Sequence, residues 1–114
     1  MPIDSYTFGC MVVDGKTYTA DLILLPDGVR ANWWREEGHA LGACDLQDVF
    51  AAGPETLVVG TGAYGAMQVP EATRQALDEA GIETIVEKTG DAVERYNALA
   101  AQGRRVAGAF HLTC

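Results

Sequence analysis

A glycine-rich turn is the part of the sequence that most resembles a chemical motif. The stretch TLVVGTGAYGAM, residues 56–67, places an apolar strand before glycines spaced G-x-G-x-x-G. In dinucleotide-binding proteins such glycines admit a pyrophosphate, and an acidic residue about twenty positions later binds the ribose. Glu87 stands near that position, but Pro70 predicts a helix that begins too late to direct its amides at a phosphate. NAD(P) binding is therefore the weakest interpretation of this turn.

Two other interpretations of the turn stay open. In the first, its glycines serve a tight turn that needs positive φ or close backbone approach. In the second, free amides of residues 62–65 form a nest for a small anion. The segment 87–90 (EKTG) ends the next predicted strand, and neighbouring parallel strands end at one edge of a sheet. The predicted ligand-binding residues at this edge are Thr61, Gly62, Ala63, Gly65, Lys88 and Thr89.

Lys88 supplies the positive charge of that predicted pocket. The alternative for this segment is an ordinary helix cap at Thr89 beside a solvated Lys88.

The histidines and cysteines form no recognisable catalytic or metal-binding pattern. The sequence has no C-x-x-C pair, and its histidines lack the usual zinc spacings. A cysteine nucleophile would also need a base and an orienting group. We therefore predict no metal, no cofactor and no catalytic residue. The odd set Cys10, Cys44 and Cys114 favours free thiols and a cytoplasmic location, and leaves their redox activity open.

Aromatic and cationic side chains are adjacent at Trp33-Trp34-Arg35. On a predicted strand over residues 29–35, the two indoles face opposite ways, so one fills the core and the other reaches a layer boundary or surface. Aromatic residues and arginine are enriched in interface hot spots. Trp34 and Arg35 are therefore the predicted interface residues. The alternative is that both rings pack between layers.

The first third of the chain predicts an antiparallel β layer. Period-two alternation indicates a strand over residues 6–12, and a second strand over residues 17–25 ends in an apolar LILL that predicts burial on both faces. Asp14-Gly15 between them is typical of a type I′ hairpin turn.

The remainder of the chain predicts a β-α-β-α-β unit. Asp45 is placed to cap a short helix that ends at residue 52, before this unit. Three apolar strands then alternate with two amphipathic helices, and Pro70 and Thr89 mark the helix starts. Such alternation predicts parallel strands. The fold class is therefore α/β, in one domain that covers residues 1–114.

Composition narrows the classes of partner. The formal net charge of −8 repels phosphate backbones and anionic lipid head groups, which argues against nucleic acid and membranes. No apolar run reaches the roughly twenty residues that span a bilayer. Apolar residues make up 48% of the chain, which is enough for a packed core.

Five blocks of sequence, in order, resemble the small MTH-type domain family, whose function is uncharacterised. They are YTFGCMVVDGKTYTADLILLPDGV, WWREEGHAL, TLVVGTGAYGAM, EKTGDAVERYN and GRRVAGAFHLTC. The resemblance implies a three-layer α/β domain around a mixed central sheet, with an added β layer. Relatives include an adipogenesis-associated protein and a mitochondrial complex I assembly factor. No enzymatic activity is established for the family.

The functional expectation that follows is a non-enzymatic binding or assembly module. It docks a protein partner or a second copy of itself as a homodimer, with a small anion at the glycine turn as a modulator. An enzyme or sensor for a phosphorylated or carboxylated metabolite is the alternative, and a purely structural subunit is a third.

Overall fold

The structure, a computed structural model, describes residues 2–114. Its strands are β1 (Ile3–Thr7), β2 (Cys10–Val13), β3 (Lys16–Tyr18), β4 (Leu22–Leu25), β5 (Gly28–Arg30), β6 (Thr56–Thr61), β7 (Glu83–Glu87) and β8 (Val106–His111). Its helices are α1 (Gln47–Ala52), which follows a 3₁₀ turn at Ala43–Leu46, α2 (Glu71–Glu79) and α3 (Thr89–Ala101).

A five-stranded mixed sheet forms the centre of the molecule. Its strand order is β5-β4-β8-β6-β7, and β6 runs parallel to both of its neighbours. Strand β4 is antiparallel to β5 and β8. The predicted β-α-β-α-β unit is therefore confirmed, with its three strands adjacent in the sheet.

Apolar side chains cover both faces of this sheet. Helices α1 and α2 pack on one face, over a core that includes Ile23 and Leu25. Helix α3 and the antiparallel sheet β1-β2-β3 pack on the other face, over a core that includes Leu22 and Leu24. Successive residues of a strand point to opposite faces, so the LILL segment is buried on both sides as predicted. The three-layer α/β architecture is confirmed.

The N-terminal hairpin follows the predicted turn chemistry, but the strands are shorter than predicted. Asp14 and Gly15 have φ values of 50° and 79°, as a type I′ turn requires. The single strand predicted over residues 6–12 is wrong, because a turn at Gly9 (φ 76°) separates β1 from β2. The single strand over residues 17–25 is also wrong, since β3 and β4 belong to different sheets. The alternation also changes phase at Gly9, since Tyr6 is half-buried in β1 whereas Met11 and Val13 are the buried residues of β2.

The predicted strand over residues 29–35 ends early, at Arg30. Asn32 has a positive φ of 53°, which turns the chain away from the sheet. The backbone N–H of Trp33 then donates to the carbonyl of Asp21 at 2.8 Å. Residues 33–38 consequently cross the end of β4 as a loop and not as a strand. The two indoles nevertheless face opposite ways as predicted, since Trp33 packs against the core and Trp34 is exposed.

The predicted helices are present with adjusted starts. Pro70 precedes α2 with extended backbone, and Thr89 is the first residue of α3. Asp45 lies in the 3₁₀ turn before α1, and its carboxylate accepts from the amides of Gly42 and Glu36 at 2.9 and 3.2 Å. Predicting Asp45 as the α1 cap was therefore wrong. No helix of residues 2–114 is long and apolar enough to cross a membrane.

Candidate functional site

The first glycine of the motif makes space within the sheet. A Cβ on Gly60 would lie 2.8 Å from the Phe110 ring and 2.9 Å from the hydroxyl oxygen of Thr89. A Cβ on Gly108 would also collide with the Phe110 ring. Phe110 is fully buried and meets Tyr96 of α3 edge to face, with ring centroids 6.0 Å apart. Gly60 and Gly108 thus make room for one large aromatic side chain.

The second glycine holds the chain against residues 113–114. Gly62 has a φ of 107°, and a Cβ there would lie 2.6 Å from the carbonyl oxygen of Cys114. Gly65 also has a positive φ, 75°, but the nearest atom to its Cβ position is Cγ of the flexible Lys88, at 3.4 Å. The motif is therefore a turn that needs left-handed backbone and close approach.

The amides of this turn are engaged by the protein's own carbonyls. Ala63 N–H donates to Thr113 O at 2.6 Å, and Ala66 N–H donates to Cys114 O at 2.9 Å. Gly62 N–H donates to the Thr89 hydroxyl at 2.8 Å. The predicted nest of free amides is consequently wrong: an anion at this turn would have to displace residues 113–114.

Thr89 ties three elements together instead of capping its helix. Its buried hydroxyl accepts from Gly62 N–H and donates to the carbonyl of His111 at 2.6 Å. Its backbone N–H donates to Gly62 O at 3.1 Å. The predicted cap at Thr89 is wrong, because the side chain bridges β6, α3 and β8.

The residues predicted to meet at one edge of the sheet do lie together. Gly60 pairs with Glu87 in the parallel ladder, and the Thr61 hydroxyl donates to Glu87 O at 3.1 Å. The exposed Lys88 extends along Gly65. A helix start inside the glycine motif, which a dinucleotide site requires, is not observed, since α2 begins at Glu71. The structure therefore brings Thr61, Gly62, Ala63, Gly65, Lys88 and Thr89 together, and a ligand for them stays a prediction.

A buried charged cluster lies at the other side of residues 112–113. The carboxylate of Asp21 accepts from Nη2 of Arg35 at 2.8 Å and from Leu112 N–H at 2.8 Å. Nδ1 of His111 is also 2.8 Å from Asp21, so the tautomer protonated on Nδ1 donates to the same carboxylate. The Arg35 side chain is only 5% exposed, and it also donates to Gly38 O. Arg35, predicted as an interface residue, thus anchors its own loop.

Hydrogen bonding dominates the ionisation of Asp21. Burial by itself would raise the pKa of Asp21, but the hydrogen bonds from His111, Leu112 N–H and Arg35 lower that pKa below its usual value. Asp21 therefore remains a carboxylate near neutral pH and balances the charge of Arg35.

Trp34 is the residue of this loop that faces outward. Trp33 donates its indole N–H to the carbonyl of Asp45 at 2.9 Å, and its ring stacks 4.8 Å from the Arg35 guanidinium carbon. Trp34 lies between these two anchored residues and is 85% exposed. It borders an open groove of about 470 Å³ together with Asp21, Arg35, Glu36 and Thr113. A groove of this size is within the range of ligand-binding sites.

Two further exposed aromatic side chains lie at the same end of the molecule. Phe8 and Tyr64 are 55% and 74% exposed, and their ring centroids are 6.1 Å apart. The backbone beside both rings is bonded to residues 112–114: Gly9 N–H donates to Leu112 O at 2.8 Å, and Tyr64 N–H donates to Cys114 O at 3.3 Å. We call Trp34, Phe8 and Tyr64, with residues 112–114 between them, the aromatic surface.

The remaining candidate residues are the histidines and the cysteines. His39 and His111 have ring centroids 5.6 Å apart, but residues 2–114 contain no group of three or more metal-ligating side chains in reach of one ion. Cys10, Cys44 and Cys114 form no disulfide within the described chain.

Comparison with known proteins identifies the family. A family model described as a protein of unknown function (DUF498/DUF598) matches residues 3–111. The chain belongs to this family. The resemblance to the MTH-type domain family is confirmed, since a Mth938-like domain of known structure is among the similar proteins.

Three solved structures illustrate the likeness. The Rpa2829 protein from Rhodopseudomonas palustris is 34% identical, with a TM-score of 0.78 over 96% of this chain and 81% of that one. A protein from Bartonella henselae, described as an outer membrane protein, is 28% identical, with a TM-score of 0.85 over 99% and 95%. A Mth938-like domain from Bordetella pertussis is 25% identical, with a TM-score of 0.76 over 97% and 85%.

Membership of this family assigns no reaction, so functional residues must be argued from geometry. Sequence reasoning missed Asp21 and Glu36 and did not pair His111 with a carboxylate. The available signal was weak: Asp21 directly precedes the apolar LILL, and His111 ends the apolar run VAGAF. A lone charged residue at the end of a buried strand indicates a paired group, but the sequence does not identify its partner.

Proposed function

We propose that the protein is a non-enzymatic binding module that docks a partner protein through the aromatic surface. One observation carries the proposal. The large hydrophobic side chains that are exposed in residues 2–114 are Trp34, Tyr64 and Phe8. Trp34 lines a groove with Thr113, and the backbone at Gly9 and Tyr64, beside the other two rings, is bonded to Leu112 and Cys114. Clustered exposed aromatics mark interaction sites, because such rings bury a large area at a small entropic cost.

The backbone beneath this surface is held by hydrogen bonds and an ion pair. Residues 112–114 accept backbone hydrogen bonds from Gly9, Ala63 and Ala66, and the Trp34 loop is fixed by Trp33 and Arg35 on either side. A preordered surface loses less conformational entropy when a partner binds. Docking therefore needs no rearrangement of the fold.

Capture with matched variants tests this function. Tagged protein, Trp34→Ala/Tyr64→Ala and the control Arg74→Ala are incubated with an extract of the source organism and cross-linked. We expect one partner, or a second copy of the chain, to be captured about tenfold less by the double variant and equally by the control, since hot-spot truncation costs more than 1 kcal/mol. Equal capture by all three, or no capture together with a monomer by light scattering, would contradict the proposal.

A metabolite-binding enzyme or sensor is the second candidate, and the adjacency of Thr61, Gly65 and Lys88 favours it. A thermal-shift screen with phosphates, nucleotides and carboxylates separates it from the first. A ligand at about a hundred times its dissociation constant adds roughly 2.7 kcal/mol of stability. Identical responses of wild type and Lys88→Ala to every compound would remove this candidate.

We further propose a cytoplasmic location, which the free thiols of Cys10, Cys44 and Cys114 support. Cell fractionation with an antibody to the native chain tests it, and recovery in the membrane fraction would contradict it.

A further inference from the structure

We infer that the segment of the partner that reaches Trp34 presents an arginine or lysine side chain, held over the indole and against the carboxylates of Glu36 and Glu37. This inference rests on the proposed docking function and adds the chemistry of the partner. It follows from the way charge is distributed on the Trp34 loop.

Alternate residues of this loop are anchored, and those between them face outward. Trp33 and Arg35 are held by Asp45 and Asp21, as described above. Trp34 and Glu36 are the exposed neighbours, and both line the 470 Å³ groove. A cation in this groove would therefore find an aromatic face and a carboxylate on adjacent outward positions. That combination is the one that cation–π recognition uses.

Negative charge continues on the far side of Glu36. A second groove of about 230 Å³ is lined by Glu36, Glu37, Cys44 and Asp45, and no lysine or arginine of the described chain lines it. Within residues 2–114, neither Glu36 nor Glu37 forms an ion pair with a lysine or arginine. Desolvation and then the carboxylates of Asp45 and Glu36 raise the pKa of the Cys44 thiol, as a locally negative potential predicts.

The cation beneath the first groove does not reverse this potential. Arg35 lies 2.8 Å from the Asp21 carboxylate, so the pair is nearly neutral as seen from the groove. The charge that remains in this groove is that of Glu36, and Glu37 adds a second carboxylate in the neighbouring groove, within a chain of net charge −8. A basic partner is attracted over long range by this field, whereas an acidic one is repelled. Arginine fits better than lysine, because its planar group stacks on indole and pairs with carboxylate at once.

The competing occupant is an acidic segment that reaches Arg35. Nη1 of Arg35 has no hydrogen-bond partner within residues 2–114, so it offers one donor to a carboxylate. That nitrogen is buried, and the groove beside Arg35 is lined by the carboxylates of Asp21 and Glu36, which repel a second carboxylate. The exposed arrangement of Trp34 and Glu36 therefore favours the basic segment, and the test includes an acidic arm.

Titration with defined peptides tests the inference on the intact chain. Acetyl-Gly-Arg-Gly-Arg-Gly-amide and its glutamate counterpart are added to ¹⁵N-labelled protein at low salt, and the two indole N–H resonances are followed. We expect the arginine peptide to shift the Trp34 indole and the Glu36 amide far more than the Trp33 indole. The glutamate peptide should leave all three unshifted.

Variants assign the effect to the proposed groups. Trp34→Ala should lower the affinity for the arginine peptide about tenfold. The double variant Glu36→Gln/Glu37→Gln should lower this affinity about fivefold. The control Glu71→Gln/Glu79→Gln removes the same amount of charge from α2 and should change the affinity by less than about twofold. The inference is overturned if the glutamate peptide binds, if Trp34→Ala has no effect, or if both double variants weaken binding equally. Capture that still depends on Trp34 while the arginine peptide fails to bind would leave the docking function in place and remove only the basic partner.

Discussion

The glycine turn and the Trp34 loop meet at the same end of the central sheet, yet they use their polar groups in opposite ways. In the glycine turn, the amides of Gly62, Ala63 and Ala66 are bonded to Thr89 and residues 113–114. In the Trp34 loop, Trp33 and Arg35 are held by Asp45 and Asp21, whereas the Trp34 ring and the Glu36 side chain are exposed. The amides of the glycine turn are therefore occupied by the protein's own hydrogen bonds, whereas the Trp34 loop exposes two side chains, Trp34 and Glu36, that have no partner within the described chain.

This difference separates a motif from a site. Each glycine of the motif has a structural explanation. Gly60 makes room for Phe110, Gly62 lies against residues 113–114, and Gly65 has a positive φ. The loop matches no familiar motif, but its outward groups are the ones that burial does not explain. A binding site is better sought among exposed polar and aromatic groups that have no partner within the fold than at a sequence pattern that resembles a known motif.

Gly62→Ala provides the strongest test of the closed turn. The new methyl group would meet Cys114 while φ stays at 107°, so we expect a loss of about 4 kcal/mol in the free energy of unfolding. Urea denaturation followed by circular dichroism measures it. Gly65→Ala is the matched control, since its Cβ would lie at ordinary contact distance from Lys88 and only the positive φ opposes it, and it should cost about 1 kcal/mol. Equal losses at the two positions would show that residues 113–114 do not close the turn.

Asp21→Asn examines the buried pair beneath the open loop. Removal of the carboxylate leaves the buried Arg35 charge unbalanced, and we expect a loss of about 3 kcal/mol at pH 7. Because the folded-state pKa of Asp21 is lowered, its contribution is present above the unfolded pKa of about 3.9 and disappears as pH falls through the folded value. The difference between wild type and variant, measured by urea denaturation from about pH 7 to about pH 2.5, should therefore shrink below about pH 4. A difference that is constant over this range would contradict the assigned pairing.

Thr89→Val separates the observed bridge from an ordinary helix cap. Loss of the hydroxyl leaves the amide of Gly62 and the carbonyl of His111 without their partner, and we expect a loss of about 2 kcal/mol. Thr89→Ser keeps both hydrogen bonds and should lose less than about 1 kcal/mol through its missing methyl. Thermal unfolding of both variants measures the difference. Thr89→Asp sharpens the comparison: a capping role would tolerate it, whereas the buried bridge would not.

The smallest effect concerns the acidic side of the open loop. The raised pKa of the exposed Cys44 thiol depends in part on Glu36, so Glu36→Gln should increase its alkylation rate about twofold at about pH 8. Mass spectrometry after brief iodoacetamide treatment measures modification at Cys44, with Cys114 in the same molecule as the control. An unchanged ratio of the two rates would show that the Glu36 carboxylate does not act on this thiol.

Local patterns predicted much of the fold correctly. The Asp14-Gly15 turn, the doubly buried LILL and the β-α-β-α-β order all depend on neighbouring residues or on simple periodicity. The adjacency of Gly60 and Glu87 followed from parallel topology alone. Strand bounds were less accurate, since the breaks at Gly9 and Asn32 are single-residue changes of φ inside a continuous apolar alternation.

The candidate site depended on partners that are distant in sequence. Asp21 and Arg35 both meet His111 of β8, which lies 90 and 76 positions away from them. The glycine-turn amides meet residues 113–114, and Thr89 meets His111. No spacing in the sequence encodes such pairings, because they arise where separate elements end at the same rim.

The sequence by itself determined the α/β class and the β-α-β-α-β succession of elements, because hydrophobic period and turn chemistry act over a few residues. The three-layer fold was implied by the resemblance of five sequence blocks to the MTH-type family. Only the tertiary structure decided that the glycine turn is closed, that Arg35 is buried against Asp21 and that Trp34 is exposed. A hydrogen bond or an ion pair is settled by which atoms come within about 3 Å, and that depends on how the whole chain packs.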